Sequence, residues 1–322
     1  MEVIVRRPDG LLAARIDAAG VDAWTARLPE PAARRLATLV SRLRSPPRSF
    51  AGLDLTEPRV MGIINTTPDS FSDAGKALDP DDAMAQGEAM RDAGAAILDV
   101  GGESTRPGAE PVDWRVETRR VLPVITHLAG TGGLVSVDSR KADVMRAAIA
   151  AGAAIVNDVS ALTHDPRSMD VVAGAGVPVI LMHALGDPRT MQDAPSYDHV
   201  SLDIHDYLEQ RIAACVEAGI ARRNIAIDPG IGFGKTQAHN MTLLGHLALF
   251  HALGCPILLG ASRKRFIGRI TGEERPARRL GGSIAAALAG VAAGVQLLRV
   301  HDVADTVQAV RIWSGMAEPV ST

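Results

Sequence analysis

Most side chains in this chain that could do chemistry fall in seven short polar stretches. They are NTTPDSFSD (65–73), DVGGESTRPG (99–108), VDSRK (137–141), NDVS (157–160), DPGIGFGK (228–235), SRK (262–264) and RVHDV (299–303). Each lies at or just beyond the end of a short apolar run, as a loop closing a buried strand does. Asp138, Asn157 and Asp228 form one set. Two carboxylates accept N–H groups and an amide both donates and accepts, which suits the edge of a flat amino-pyrimidinone heterocycle. A single Asp at such a place is as readily a helix N-cap, but three on one rim are harder to explain that way. Asn65, Lys264, Arg299 and His301 form a second set, with Asp73 in the first loop. Arg forks onto phosphate oxygens, and Asn65 and Asp73 offer the oxygen ligands that Mg²⁺ takes beside a phosphate.

The elements that must position these groups follow a rhythm. Apolar runs occur at Val60–Ile64, Ala96–Val100, Leu134–Val137, Ala154–Val156, Val177–Met182, Ile225–Ile227, Pro256–Gly260 and Gln296–Val300. They are continuous instead of alternating, as in strands buried on both faces. Helical patterns separate and follow them, at Asp79–Ala93, Arg115–Leu128, Lys141–Ala151, Asp165–Gly174, Asp198–Ala218, Asn240–Leu253, Pro276–Ala293 and Asp302–Ser314. Eight βα units in about 255 residues predict a closed (β/α)₈ TIM barrel over 58–322, with its chemistry at the C-terminal ends of the strands. In such barrels the loops after strands seven and eight often bind phosphate, and strand eight closes beside strand one, which puts Asn65 next to Arg299 and His301. Residues 1–57 read as an N-terminal α/β extension packed on the barrel. Its Glu2–Val5 is a short strand, and its Glu30–Arg44 is an amphipathic helix ended by Ser45-Pro46-Pro47.

Composition excludes several classes. A formal charge of −3 gives no electrostatic case for nucleic acid or an anionic membrane, and aromatics at 3% are too few for a base-stacking surface. No window has the length of unbroken apolar residues that a membrane span needs. Cys215 and Cys255 have neither disulfide-framework nor zinc spacing, which points to a reducing cytosol. Four of the 34 basic residues are lysines, at 76, 141, 235 and 264, so each marks a place where a compact ammonium could be needed. The stretch from Pro229 to Thr236 imitates a P-loop but has proline where the first glycine belongs. Its glycines are better read as letting backbone approach a ligand. Met182 reads as an apolar pocket wall and His183 as a loop hydrogen-bonder.

Taken together and in this order, the seven stretches resemble dihydropteroate synthase, over residues 60 to 313. The resemblance implies condensation of 6-hydroxymethyl-7,8-dihydropterin diphosphate with 4-aminobenzoate to 7,8-dihydropteroate and diphosphate, with Mg²⁺. It assigns the pterin to Asp138, Asn157, Met182, Asp228, Phe233 and Lys264, and the diphosphate to Asn65, Arg299 and His301. Asn65 and Asp73 would serve the metal. Phe71, Thr105, Arg106 and Pro107 would close over 4-aminobenzoate, with Lys264 beside it. It further implies an SN1-like path in which Arg299 and His301 neutralise the leaving group and Asp138 stabilises the pterin cation. A sulfonamide-sensitive, cytoplasmic homodimer, joined through helices on the far side of the barrel, is the expected assembly. The Gly/Ala-rich helix Gly281–Gly294 fits either that interface or tight packing on the barrel. Thr66 stands where the family commonly has Val, and Arg265 stands where a small hydroxyl residue is common. Two other outcomes share the fold and pocket: a corrinoid-dependent pterin methyltransferase, which has no diphosphate to bind, and a non-catalytic pterin-binding relative.

Overall fold

The computed structural model describes residues 2–7, 10–67, 79–106, 108–186 and 189–317. Phe71, Asp73, Lys76 and Pro107 lie outside the described residues. The chain opens with an antiparallel hairpin, β1 (Glu2–Arg7) and β2 (Gly10–Arg15), then α1 (Val21–Thr25) and α2 (Glu30–Arg44). A second small hairpin follows, β3 (Ser49–Phe50) and β4 (Leu53–Asp54). Then comes the repeat. Its strands are β5 (Arg59–Asn65), β6 (Ile97–Gly101), β7 (Val135–Asp138), β8 (Ile155–Asp158), β9 (Val179–Met182), β10 (Ile225–Asp228), β11 (Leu258–Leu259) and β12 (Leu297–Val300). Its helices are α3 (Pro80–Asp92), α4 (Trp114–Gly130), α5 (Ala142–Ala150), α6 (Ser168–Ala175), α7 (Val200–Glu217), α8 (Gln237–Gly245), α9 (Arg265–Thr271), α10 (Leu280–Ala292) and α11 (Val303–Ala317).

The eight strands of the repeat are parallel, in the order β10-β9-β8-β7-β6-β5-β12-β11. A parallel bridge between Ile227 and Ile257 joins the two ends, so the sheet closes on itself as the eight-run rhythm predicts. Each apolar run became a strand, displaced by at most a few residues. Two differences have plain causes. The long sixth helix pattern splits into α8 and a 3₁₀ segment, Leu247–Leu253, which ends at Gly254 with φ 67°. The seventh connection carries an extra helix, α9, directly after SRK; its seven residues are too few to show a helical period.

Two apolar layers hold the barrel. The larger lies between strands and helices. The smaller fills the interior with Met61, Ile97, Ile155, Ile180, Ala226, Leu258 and Leu297, one residue from most strands. Phe50 and Leu55, counted from sequence with the extension, belong to this interior cluster, and Phe50 is 1% exposed. The β3–β4 hairpin therefore plugs the barrel. The rest of the extension sits on its side. Leu36 and Val40 of α2 are buried with Val21 in a small core of their own. Arg35 of α2 binds Glu209 of α7 through both carboxylate oxygens, and Arg6 binds Asp203 and Asp206 on the same helix. Part of the small-residue face of α10 packs inward. A Cβ on Gly282 would come within 2.3 Å of Ile267, and one on Gly290 within 2.6 Å of Leu259, so these glycines serve packing inside the protomer.

Candidate active site

The register brings the predicted groups side by side. Asp138 pairs with Asn157 across β7 and β8, Asp228 with Met182 across β10 and β9, and Asn65 ends β5 opposite Gly101 of β6. All are at the C-terminal ends of parallel strands. A cavity of about 360 Å³ opens there. Asn65, Asp138, Lys264, Arg299 and His301 line it, as do Phe233, Thr105 and Arg106. Asn157, Met182 and Asp228, expected to hold the heterocycle, are buried at 5%, 3% and 4% exposure and are not among the residues that line it.

Asp99, which the sequence reading left without a role, organises the floor. Its side chain is fully buried in β6. Its Oδ2 accepts from Arg299 Nε at 2.6 Å and from Asn157 Nδ2 at 3.1 Å. Arg299 also donates to Asp138 Oδ2 at 2.6 Å. A buried carboxylate in the middle of an apolar strand must be paired, and Asp99 inside Ile-Leu-Asp-Val-Gly is the sequence signal for it. Burial pushes the Asp138 carboxyl up to about 7; Arg299 pulls the other way, and the Asp99 and Asp158 carboxylates add to the rise. The same two partners, Asp99 and Asp138, raise Arg299, so its charge is secure despite burial.

Asp228 divides its two oxygens. Oδ1 accepts from Gly230 N at 2.7 Å and holds the next loop, while Oδ2 lies beside Gly260, and the nearby charges of Lys264 and Arg299 oppose the rise that burial gives its pKa. Lys264 donates to the Ile231 carbonyl and lies 4.6 Å from the Phe233 ring centre. Burial lowers its ammonium to about 8, with Asp228 opposing. The glycines of this loop have a structural reason. Gly230, Gly232 and Gly234 all have positive φ, and a Cβ on Gly230 would meet the His183 carbonyl oxygen at 1.9 Å. Lys235 turns inward instead of toward a phosphate, donating to Phe233 O at 2.8 Å and lying 3.0 Å from His183 Nδ1. Burial, with Lys235 adding to it, pushes His183 down to about 2, so it is a neutral partner.

After β12, His301 Nδ1 lies 3.0 Å from Ser262 Oγ, which in turn accepts from the His301 backbone N–H at 3.2 Å. Burial and the nearby Arg263 and Arg299 push His301 down to about 3. Burial thus keeps the imidazole neutral, and the tautomer with a proton on Nε2 is the one in which Ser262 Oγ donates to Nδ1. Arg263, at φ 57°, is bound to Asp302 through both carboxylate oxygens and does not face a ligand with its charge free. The two cations of VDSRK are also committed. Arg140 and Lys141 both bind Glu103, at 3.0 and 2.8 Å, and Lys141 binds buried Glu117. Thr66, expected to act as a stand-in for Val, donates its hydroxyl to Gly101 O at 3.1 Å.

For Mg²⁺, the described residues supply Asn65, whose amide lines the same cavity as Arg299 and His301. A neutral oxygen donor on a wall otherwise cationic suits an ion whose remaining ligands come from a bound anion.

A parallel barrel with buried carboxylates under a cavity walled by Arg, Lys and His defines an enzyme site for a polar heterocycle carrying an anion. The family model described as pterin binding enzyme matches residues 61–301. The chain belongs to this family. Among its relatives, the dihydropteroate synthase of Escherichia coli K12 is 46% identical over 261 residues, covering 81% of this chain and 92% of that protein. The dihydropteroate synthase of Xanthomonas albilineans, solved with 4-aminobenzoic acid, is 50% identical with a TM-score of 0.78, covering 83% of this chain and 96% of that one. The same enzyme has been solved in complex with 7,8-dihydropteroate. The Yersinia pestis dihydropteroate synthase in a sulfonamide drug complex is 44% identical with a TM-score of 0.80, covering 82% and 96%.

Proposed function

We infer that this chain is a dihydropteroate synthase, joining 6-hydroxymethyl-7,8-dihydropterin diphosphate to 4-aminobenzoate with release of diphosphate. The observation that carries the reading is the Asp99–Arg299–Asp138 cluster. It sets a carboxylate suited to heterocycle N–H groups against a guanidinium that still has donors for an anion. A guanidinium has five N–H donors; one bond each to Asp99 and Asp138 leaves the others for diphosphate oxygens.

The chemistry is substitution at the exocyclic carbon of the pterin. The C–O bond to diphosphate breaks, the aromatic nitrogen forms the new C–N bond, and that nitrogen loses a proton. The aromatic amine is a weak nucleophile, so departure of diphosphate leads. Arg299 charge and a His301 Nε2–H donor stabilise the departing oxygens where negative charge develops. Ionised Asp138, within the same cluster, stabilises the cation left on the dihydropterin. Asp228, Asn157 and Lys264 orient the heterocycle, with Met182 and Phe233 as apolar walls. Asn65 and Asp73 would hold Mg²⁺, which when bound supplies further neutralisation of the diphosphate. Phe71, Thr105, Arg106 and Pro107 close over 4-aminobenzoate.

A cytoplasmic site of action follows from the proposed reaction on soluble substrates. Separately, no described helix is long and apolar enough to cross a membrane. A homodimer is supported by Ile312 and Met316 of α11, 64% and 69% exposed. The barrel, 58–322, is the catalytic unit, with 1–57 as its extension. The test is diphosphate release from purified protein given the pterin diphosphate, Mg²⁺ and 4-aminobenzoate, beside an Arg299→Ala, His301→Ala double variant. Release that needs 4-aminobenzoate and is lost in the variant supports the reading. Pterin binding without release overturns it.

A further inference from the structure

The carbonyls of the loop after β10 are held by side chains. Lys264 donates to Ile231 O, Gln192 Nε2 to Gly232 O at 2.8 Å, Lys235 to Phe233 O at 2.8 Å and the Tyr197 hydroxyl to Gly234 O at 2.8 Å. On the amide side, Asp228 takes the Gly230 N–H and Asn240 Oδ1 takes the Gly232 N–H at 2.7 Å. Gly230, Gly232 and Gly234 all have positive φ, so the loop cannot join a ladder and its backbone groups must find partners elsewhere. Gly232 is gripped on both sides, by Asn240 of α8 and by Gln192 of the β9–α7 connection. Asn240 is 4% exposed and is itself fixed, its Nδ2 donating to Thr236 O at 2.8 Å. The peptide whose N–H Asn240 holds is the one whose carbonyl, Ile231 O, receives Lys264. The peptide whose carbonyl Gln192 holds leads into Phe233, whose ring centre is 4.6 Å from Lys264 Nζ. A Cβ on Gly232 would lie 3.3 Å from Lys264 Cδ, so this backbone also supports the lysine stem. Gln192 and Asn240 both line the cavity.

We infer that Gln192 and Asn240 are positioning residues for the heterocycle, acting together through Gly232 to fix the Phe233 wall and the Ile231 carbonyl that aims Lys264. This rests on the synthase reading. Asn240 reaches Lys264 through a single peptide plane, with a hydrogen bond at each end. Gln192 holds the next plane and with it the Phe233 backbone. Losing either amide frees one backbone group of a glycine that has no side chain to restrain its turning. The heterocycle then meets a wall and an ammonium that are no longer held in place. The aromatic amine is served by the first two loops, which share no partner with Gly232, so the effect falls on one substrate.

The experiment compares wild type with Gln192→Met, Asn240→Ala and the double variant in the full chain. It reads KM separately for the dihydropterin diphosphate and for 4-aminobenzoate. Gln192→Met keeps the length of the side chain and loses the donor. It is expected to raise KM for the pterin substrate about fivefold, the weight of one neutral hydrogen bond. Asn240→Ala loses two such bonds and raises it about twentyfold. The double variant also stays near about twentyfold, short of the roughly hundredfold product, because both amides act on one residue. KM for 4-aminobenzoate stays within about twofold throughout, as for a site with no shared partner. An unchanged pterin KM in Gln192→Met overturns the inference. An equal rise in both KM values overturns it too, since that means a general loosening of the site, as does a full product in the double variant, which means two unrelated contacts. If Asn240→Ala does not fold, the split between the two KM values in Gln192→Met decides alone. Wild-type protein that releases no diphosphate removes the synthase reading and this inference together; active wild type with indifferent variants removes only the latter.

Discussion

Glu103, just after β6, and Asp138, at the end of β7, are acids on adjoining parts of the same rim, and both face cations. Glu103 is saturated: Arg140, Lys141 and the Val112 N–H all donate to it. These contacts lower its pKa in spite of burial. Asp138 is under-supplied. One Arg299 N–H reaches it, its neighbours include like charges, and its pKa rises. The saturated acid ties the second loop to β7 and α4. Both line the cavity, and only the under-supplied one keeps acceptor capacity for a ligand. Charge at a barrel rim therefore marks a site only where its partners are incomplete.

Glu103→Ala should be the more damaging change to the fold. It leaves Arg140 and Lys141 buried without their shared carboxylate, at a cost of about 3–5 kcal/mol in urea unfolding. A loss under about 1 kcal/mol would mean that this network is as dispensable as a surface pair. Asp138→Asn should invert the pattern. We expect kcat/KM to fall about 100-fold, near 3 kcal/mol of transition-state stabilisation, with no loss in the unfolding midpoint at pH 7, because Arg299 keeps Asp99 and an under-supplied buried charge is removed. Equal damage to activity and stability would erase the distinction.

Protonation sharpens it further. The raised pKa of Asp138 means that between about pH 4 and 7 the folded state binds the extra proton, so this group's contribution to stability falls as pH rises through that window. The stability difference between wild type and Asp138→Asn should follow that slope. N–H groups of a bound pterin favour the carboxylate, so binding at pH 7 should release about half a proton. Calorimetry in two buffers of different ionisation enthalpy measures it, and a value of zero would mean that Asp138 does not contact the ligand or is ionised beforehand. The smallest effect is expected at Thr66→Val, where loss of one buried hydrogen bond to Gly101 should cost about 1 kcal/mol.

The barrel was legible because strands buried on both faces leave uninterrupted apolar runs, and each polar stretch then fell at the same end of its strand. Lysine scarcity was informative as well: Lys141, Lys235 and Lys264 are all at the rim, each donating to named acids, carbonyls or a histidine. What was not legible depended on partners far apart in the chain. Asp99 is 200 residues from Arg299, and nothing local distinguishes its pairing. Arg140 and Arg263 look like ligands in sequence because Glu103 and Asp302 are needed to see them spent. Of the β1–β2 hairpin only the first strand, at Glu2–Val5, is legible, and the β3–β4 hairpin is not, because two-residue strands are too short to have a period.

The plug formed by Phe50 has a consequence for how the protein is made. Phe50 is synthesised before any barrel strand. The surface that receives it includes Leu258 and Leu297, made more than two hundred residues later. At an elongation rate of about 5–20 residues per second, a large aromatic side chain waits at least ten seconds or so without its native cover. Chaperone engagement with the nascent chain should therefore begin at this hairpin, ahead of the catalytic barrel it will seal.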